Sequence, residues 1–415
     1  MITPSFGLTA TERVLPRLAL DFTTASLDSR VTFTRALNTA TRVNASGLVE
    51  LVNADVARFD YDPVTLVCKG LLIEESRTNF LIYSDQLDNP AWVTTATSVT
   101  ANQALSPDGI VSGDKLIEDS TLSNHFITTN SFTPVNATTY TFSVFVKAAE
   151  RSYAFVGFNA ASTPATFVSV NLSAGTIATA TGTPVNSSIT NAGNGWYRVS
   201  VSVTSVATTA AKCEVRISTD GVWANRSYTG DGTSGIYVWG AQIEAGAFPT
   251  SYIPTTTTSL TRNADVATMT GTNFSDWFNA SEGSIVAEAM GYALSGNIFA
   301  FDDNGDNNRI QIARAATSQY QNLIYVGGAL QTGGAFGNYT VNTFGKVATA
   351  YKVNDIAYVA NGGTVGTDNT ANIPTVTQLN IGSRKSGTAL LNGIIKRLYY
   401  YPQRLTNAEL QAFSK

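Results

Sequence analysis

Apolar residues recur at every second position through much of this chain. Tyr140, Phe142, Val144 and Val146 alternate with Thr141, Ser143, Phe145 and Lys147. Tyr197, Val199, Val201 and Val203 alternate with Arg198, Ser200, Ser202 and Thr204. Val168, Val170 and Leu172 repeat the pattern, as do Cys213, Val215 and Ile217. Successive side chains of an extended chain point to opposite faces, so a period of two with one apolar side predicts half-buried strands. Turn residues separate the runs, as in Asn191-Ala192-Gly193-Asn194-Gly195 and Gly230-Asp231-Gly232. Many short strands at this spacing predict a sandwich or jelly roll over residues 93–254.

A second β unit is predicted for residues 271–415. Ile285, Ala287 and Ala289 alternate within Gly283–Met290, and Ile298–Phe301 and Arg309–Ala313 flank a hairpin loop, Asp302–Asn308. Lys346–Gly363 reads as strand, turn at Asn354-Asp355, strand, and turn at Asn361-Gly362. Thr406 and Glu409 fit a Thr-x-x-Glu capping box that opens a short terminal helix. Between the two units, residues 255–270 read as a linker, because Thr255–Ser259 is a hydroxyl run. Residues 1–92 lack helical periodicity and contain only short patterns such as Arg30–Thr34 and Arg58–Asp62. They read as an irregular leader, with Gly70–Trp92 as the joint to the first sandwich. The expected fold is all-β: two consecutive β-sandwich domains after that leader.

Two phrases stand out, GLLIEESRTNFLIYS at Gly70–Ser84, followed by Trp92, and WGAQIEAGAFPTSYIPT at Trp239–Thr255. They resemble tailed-bacteriophage virion proteins of the fibre, spike and head-appendage kind, over residues 15–265. The order YTFSVFVK, GNGWYRVSVSV, GIYVWGAQIE is similar to carbohydrate-binding-module jelly rolls embedded in phage proteins. KVATAYKVNDIAYVANGG, followed by Leu379-Asn380-Ile381-Gly382 and Gly393–Tyr401, resembles the concanavalin A-like, laminin-G-type lectin sandwich. The resemblance implies a virion structural protein, synthesised in the host cytoplasm, that presents lectin-like domains for host-surface glycan adhesion. Its implied partners are other virion proteins and a host-surface glycan, with the leader as a docking segment. Such appendages are homo-oligomers, commonly trimers, although no coiled-coil heptad run supports a trimer here. A glycan-degrading enzyme on the concanavalin A-like fold and a bacterial surface glycan-binding protein are the alternatives.

Composition narrows the choice. A chain of 415 residues is too long for one hydrophobic core. Charged residues make up 13%, about half the usual share, while 43% hydrophobic residues argue against disorder. A net charge of −4 without a basic run argues against nucleic acid. Cys68 and Cys213 allow no disulfide framework or Cys-rich zinc site and read as reduced thiols. No secretory signal is evident, and no run approaches the ~18 apolar residues of a membrane span, so membrane insertion is not expected.

Few residues carry candidate chemistry. Glycoside hydrolysis needs two carboxylates ~5–9.5 Å apart. Glu282 and Glu288, on one strand, would lie ~20 Å apart, and no carboxylate cluster is present, so no catalytic residue is assigned. His125 is the only histidine; without a nucleophile elbow nearby it reads as a strand-edge or surface residue. Asp302, Asn304, Asp306 and Asn308 alternate like the first ligands of a calcium loop. Asn307 and Ala313 stand where that loop needs Gly and Glu, so a plain turn is favoured and no cofactor is expected. Trp239 reads as core, and Trp196 is compatible with core or surface. Tyr320, Tyr325 and Phe336 read as packing residues of the C-terminal sandwich. Trp223, Arg226 and Tyr228, in a glycine-flanked loop, are the candidate glycan contacts.

Overall fold

The computed structural model describes residues 15–159 and 163–415. Two antiparallel β-sandwiches make up the protein. In the jelly roll, one six-stranded sheet runs in the order Asn186–Asn191, Trp196–Thr204, Thr139–Ala148, Gly235–Ala245, Val111–Glu118, Thr97–Leu105. It faces a second six-stranded sheet ordered Thr176–Thr181, Thr166–Asn171, Tyr153–Phe158, Cys213–Ser218, Phe126–Thr128, Val93–Thr95. The alternating residues meet between them: Phe142, Val144, Val199, Val201, Val168, Val170, Val215 and Ile217 share one core.

The second sandwich pairs an eight-stranded sheet with a seven-stranded one. The strands Glu282–Gly291, Gly345–Lys352 and Gly393–Tyr401 belong to the larger sheet; Gly296–Asp302, Arg309–Arg314 and Gln378–Ile381 belong to the smaller. Asn354, Asn361 and Gly362 all have positive φ, as the sequence-predicted turns require. The capping box forms: Glu409 N–H donates to the Thr406 hydroxyl, and the Glu409 carboxylate accepts from Thr406 N–H at 2.7 Å. Among the described residues no helix is long and apolar enough to cross a membrane.

The sandwiches are nested rather than consecutive, and this corrects the expected partition. Leu18–Asp21 pairs with Gly393–Tyr401, Thr32–Thr34 with Val266–Thr270, and Cys68–Ile73 with Gly393–Tyr401. Leu18, Leu20, Phe22, Phe33, Phe59, Leu71 and Ile73 are buried in the same core as Phe301, Ile312 and Leu398. Leader strands between Leu18 and Ile73 are therefore integral to both sheets of the C-terminal sandwich, whereas Leu81, Leu87 and Trp92 are buried in the jelly-roll core; residues 1–14 lie outside the described residues. The expected linker is also structural. Leu260–Arg262 pairs with Arg77–Asn79, Val266–Thr270 lies between two strands, and Arg262 and Asp265 are fully buried. Thr256, Thr257, Thr258 and Ser259 form the one continuous exposed run in this segment.

The jelly roll is thus an insertion, and the chain enters and leaves it side by side. Tyr83 N–H donates to Thr256 O at 2.7 Å, and Ser84 N–H to Thr255 O at 3.2 Å. The two phrases singled out in the sequence meet at this point. The Asn79 side chain donates to Ile253 O at 2.9 Å and accepts from Ile243 N–H at 3.1 Å, and the Ser84 and Tyr252 hydroxyls are 2.6 Å apart. Each phrase needs a glycine. A Cβ on Gly70 (φ 129°) would come within 2.3 Å of Ile395 O, and one on Gly246 (φ 129°) would meet the Arg77 guanidinium.

Candidate functional site

Five buried charged groups fix the joint. The Glu74 carboxylate pairs with Arg58 at 2.8 Å and Arg262 at 2.9 Å, and accepts from Ser251 N–H at 2.8 Å. Asp265 pairs with Arg35 at 3.1 Å and with Arg58, and accepts from Glu74 N–H at 2.9 Å. Burial raises the Glu74 carboxyl, but Arg262, Arg58 and the Ser251 donors outweigh it and hold the group down to about 2. For Arg58, the Asp265 and Glu74 charges outweigh desolvation and push the guanidinium up. Ser251 comes from the second phrase and Glu74 from the first, so this network locks the insertion to its host.

A cleft of about 550 Å³ opens between the locked sandwiches. Phe248, Asn186, Ser188 and Thr190 line it from the jelly roll, and Tyr292 and Phe344 from the C-terminal sandwich. Its lining charges balance in number, Arg42, Lys69 and Arg198 against Asp60, Asp62 and Glu74; Lys69 pairs with Asp60 at 2.5 Å, and Arg42 with Glu50 at 2.6 Å. Arg198 donates to Thr250 O at 2.7 Å and the Ser143 hydroxyl at 2.9 Å. Sequence reasoning missed this site because its residues come from distant segments. The one local signal was Phe145, an aromatic at an outward position of its strand, which packs on that face with Trp196, Trp239 and Tyr252.

The sequence-predicted contacts divide into two places. Trp223 opens a short 3-10 turn, Trp223–Asn225, and lies half-buried over the outer face of the jelly-roll sheet. Its ring is 4.8 Å from Phe167 and 5.2 Å from Phe155. Guanidinium carbons of Arg226 and Arg216 lie 4.8 and 5.3 Å from the indole, close enough for cation–π attraction. Trp223 and Arg226 therefore form one platform. Tyr228 belongs elsewhere: its hydroxyl donates to Glu118 at 2.6 Å, its ring lies 4.6 Å from His125, and Glu118 also pairs with Arg151. Trp223→Ala is expected to lower stability by about 1–2 kcal/mol, because the indole is only partly buried. Tyr228→Phe should cost about 1.5–3 kcal/mol through loss of a bond to a charged acceptor. Thermal melts of both variants check these values.

His125 stands at a strand edge, between Leu122–Asn124 and Phe126–Thr128, but it is buried, which corrects the surface reading. Nδ1 is 2.7 Å from Ala96 O and Nε2 3.0 Å from Tyr228 O, so the ring ties the turn at Ala96 to the strand Ser227–Thr229. Trp196 and Trp239 are both buried, with indole N–H groups donating to Leu105 O at 2.8 Å and the Ser112 hydroxyl at 3.1 Å. Tyr320 and Phe336 are buried in the C-terminal core, whereas Tyr325 is half-buried under Arg309, 3.6 Å from the ring centre. Cys68 and Cys213 are unpaired and buried, and burial pushes both thiols up.

Asp302–Asn308 is a hairpin loop whose oxygens are committed to donors. Asp302 accepts from Asn304 N–H, Gln378, Asn380 and Lys385 N–H, all within 2.9 Å. Asp306 faces Arg384 at 2.7 Å and Lys385 at 3.2 Å, cations that oppose a metal ion. Among the described residues no group of three or more His, Cys, Asp or Glu side chains could hold a metal. Adding EDTA should leave the melting temperature unchanged; a calcium-dependent rise would return Asp302, Asn304 and Asp306 as ligands.

Carboxylates with a hydrolytic role are equally hard to place. Glu282 pairs with Lys352 at 3.4 Å, and Glu288 with Lys396 at 3.1 Å. Burial pushes Asp114 up to about 6, a value suited to a general acid. Its oxygens, however, accept from Leu87 N–H at 2.8 Å and Asn102 N–H at 3.0 Å inside the jelly roll, where it is 2% exposed.

No protein-family model and no curated protein matches this chain. Among solved structures, it is similar to the CBM40 domain of Ruminococcus gnavus IT-sialidase bound to α2,3-sialyllactose, at 12% identity and a TM-score of 0.31, covering 34% of this chain and 86% of that one. A SAP-like pentraxin from Limulus polyphemus matches at 14% identity and a TM-score of 0.27, covering 33% and 70%. A Trypanosoma rangeli sialidase in complex with the inhibitor DANA matches at 10% identity and a TM-score of 0.29, covering 78% and 62%. Likenesses this remote assign no activity to the chain.

Proposed function

We propose that this chain is a phage virion structural protein, of the fibre, spike or head-appendage kind, that binds host-surface glycan without cleaving it. The virion half of the reading rests on the two phrases, Gly70–Ser84 and Trp239–Thr255, that resemble such proteins. It is supported by their meeting at one joint, where the shared residues set how one sandwich is held in another. The observation that carries the binding half is the Trp223–Arg226 platform: an indole at an exposed turn, backed by Phe155 and Phe167 and flanked by two guanidinium groups. Aromatic faces of this kind stack on the apolar faces of sugar rings, and arginine donates to their hydroxyls. A single platform binds weakly, and repetition over a particle raises the effective concentration of each further contact.

Particles carrying Trp223→Ala should adsorb to host cells several-fold more slowly, with normal protein incorporation. Unchanged adsorption would remove this platform from the reading. Absence of the chain from purified particles, by electron microscopy with a specific antibody, would remove the virion assignment.

A further inference from the structure

We infer that the cleft between the sandwiches is a second saccharide site, one that takes an uncharged oligosaccharide segment; the inference rests on the glycan-binding reading above. Its volume, about 550 Å³, lies within the range of small-ligand sites, and junctions between domains are where such sites concentrate. The lining selects the chemistry. A strongly charged ligand is disfavoured because the lining balances, Arg42, Lys69 and Arg198 against Asp60, Asp62 and Glu74. Lys69 pairs with Asp60 and Arg42 with Glu50, and the charge of Arg198, bonded to neutral Thr250 O and the Ser143 hydroxyl, is offset within the lining by Asp62. Glu74 is neutralised by Arg58 and Arg262, which leaves Asp62, bonded to the Val64 and Thr65 N–H groups, as the one lining carboxylate among the described residues without an ion pair, too little for a polycationic ligand.

What remains are half-buried aromatic rings on both banks, Phe248 on one and Tyr292 and Phe344 on the other. With them come hydroxyls and amides, among them Ser187, Thr190 and Asn342. Rings that accept apolar faces, beside neutral donors and acceptors, suit a polyhydroxylated ring system. The buried joint keeps the banks in place before the ligand arrives, which lowers the ordering cost of binding.

The test uses the full chain against immobilised maltotriose, chitotriose and bacterial O-antigen polysaccharide, with four proteins compared. These are the parent, the double variant Phe248→Ala/Phe344→Ala, Thr190→Trp, which places a bulky ring in the cleft from an exposed position, and Trp223→Ala. Both cleft variants are expected to weaken binding of at least one probe by about tenfold or more, with Trp223→Ala retaining cleft binding. Should the double variant lose its cooperative melt, Thr190→Trp decides alone. Parent-like binding by the folded cleft variants, with loss only in Trp223→Ala, would overturn the cleft and leave the glycan reading standing. No binding of any probe by the parent at millimolar concentration would overturn both.

Discussion

A chain cut down to residues 271–415 will not fold. That segment carries most strands of the C-terminal sandwich, yet it lacks Leu18–Asp21, Thr32–Thr34, Phe59–Tyr61, Cys68–Ile73 and Val266–Thr270, which complete both of its sheets. Besides Val31 and Met269, seven buried Leu, Ile and Phe side chains of its core are lost: Leu18, Leu20, Phe22, Phe33, Phe59, Leu71 and Ile73. At about 1.5–3 kcal/mol each they amount to roughly 10–20 kcal/mol, at least as large as the ~5–15 kcal/mol net stability of a typical domain. A protease can still cut at exposed Thr256–Ser259, but the products should stay together through the strand pairs that cross the cut. Limited proteolysis should therefore give two bands on a denaturing gel and one species by native size-exclusion chromatography. A soluble 271–415 fragment with a cooperative melt would contradict the nested topology.

Removing Glu74 will be the most damaging single substitution at the joint. Glu74→Ala leaves Arg58 and Arg262 buried with too little negative charge, a defect of about 3–5 kcal/mol in comparable buried pairs. The same group sets an acid limit. In the folded protein its carboxyl is held to about 2 against an ordinary 4.5, so the unfolded chain takes up the proton first. The stabilisation is fully present above pH 4.5 and is lost as pH falls from there toward 2. Over that window the loss is about 3 kcal/mol. Melts from pH 6 to pH 2.5 should show a steep fall for the parent and a flatter one for Glu74→Gln, which starts lower. A parent-like acid slope in Glu74→Gln would place the acid sensitivity elsewhere.

The jelly roll was legible because its strands are long. Gly235–Ala245 and Thr139–Ala148 give enough alternation to show which face is buried. The leader was not, because strands such as Leu18–Asp21 and Thr32–Thr34 place only one or two side chains in the core. Arg35, Arg58, Arg262 and Asp265 are buried through partners up to 230 positions away, which no local pattern encodes. Within the hydroxyl run Thr255–Ser259, Thr256–Ser259 are exposed while Thr255 is buried, and nothing in the run shows that strands resume at Leu260. Trp223 and Arg226 were found from a glycine-flanked loop. Their support was visible only as Phe155 and Phe167, aromatics at outward strand positions that need a cover.

The central claim, binding without cutting, is met most directly by incubating the purified chain with host surface polysaccharide and measuring two quantities in one sample. One is protein co-sedimenting with the polysaccharide; the other is new reducing ends over time. Co-sedimentation that Trp223→Ala diminishes is expected, with reducing ends no higher than a heat-killed control. Steady release of reducing ends above that control would contradict the claim and make the chain a glycan-degrading enzyme.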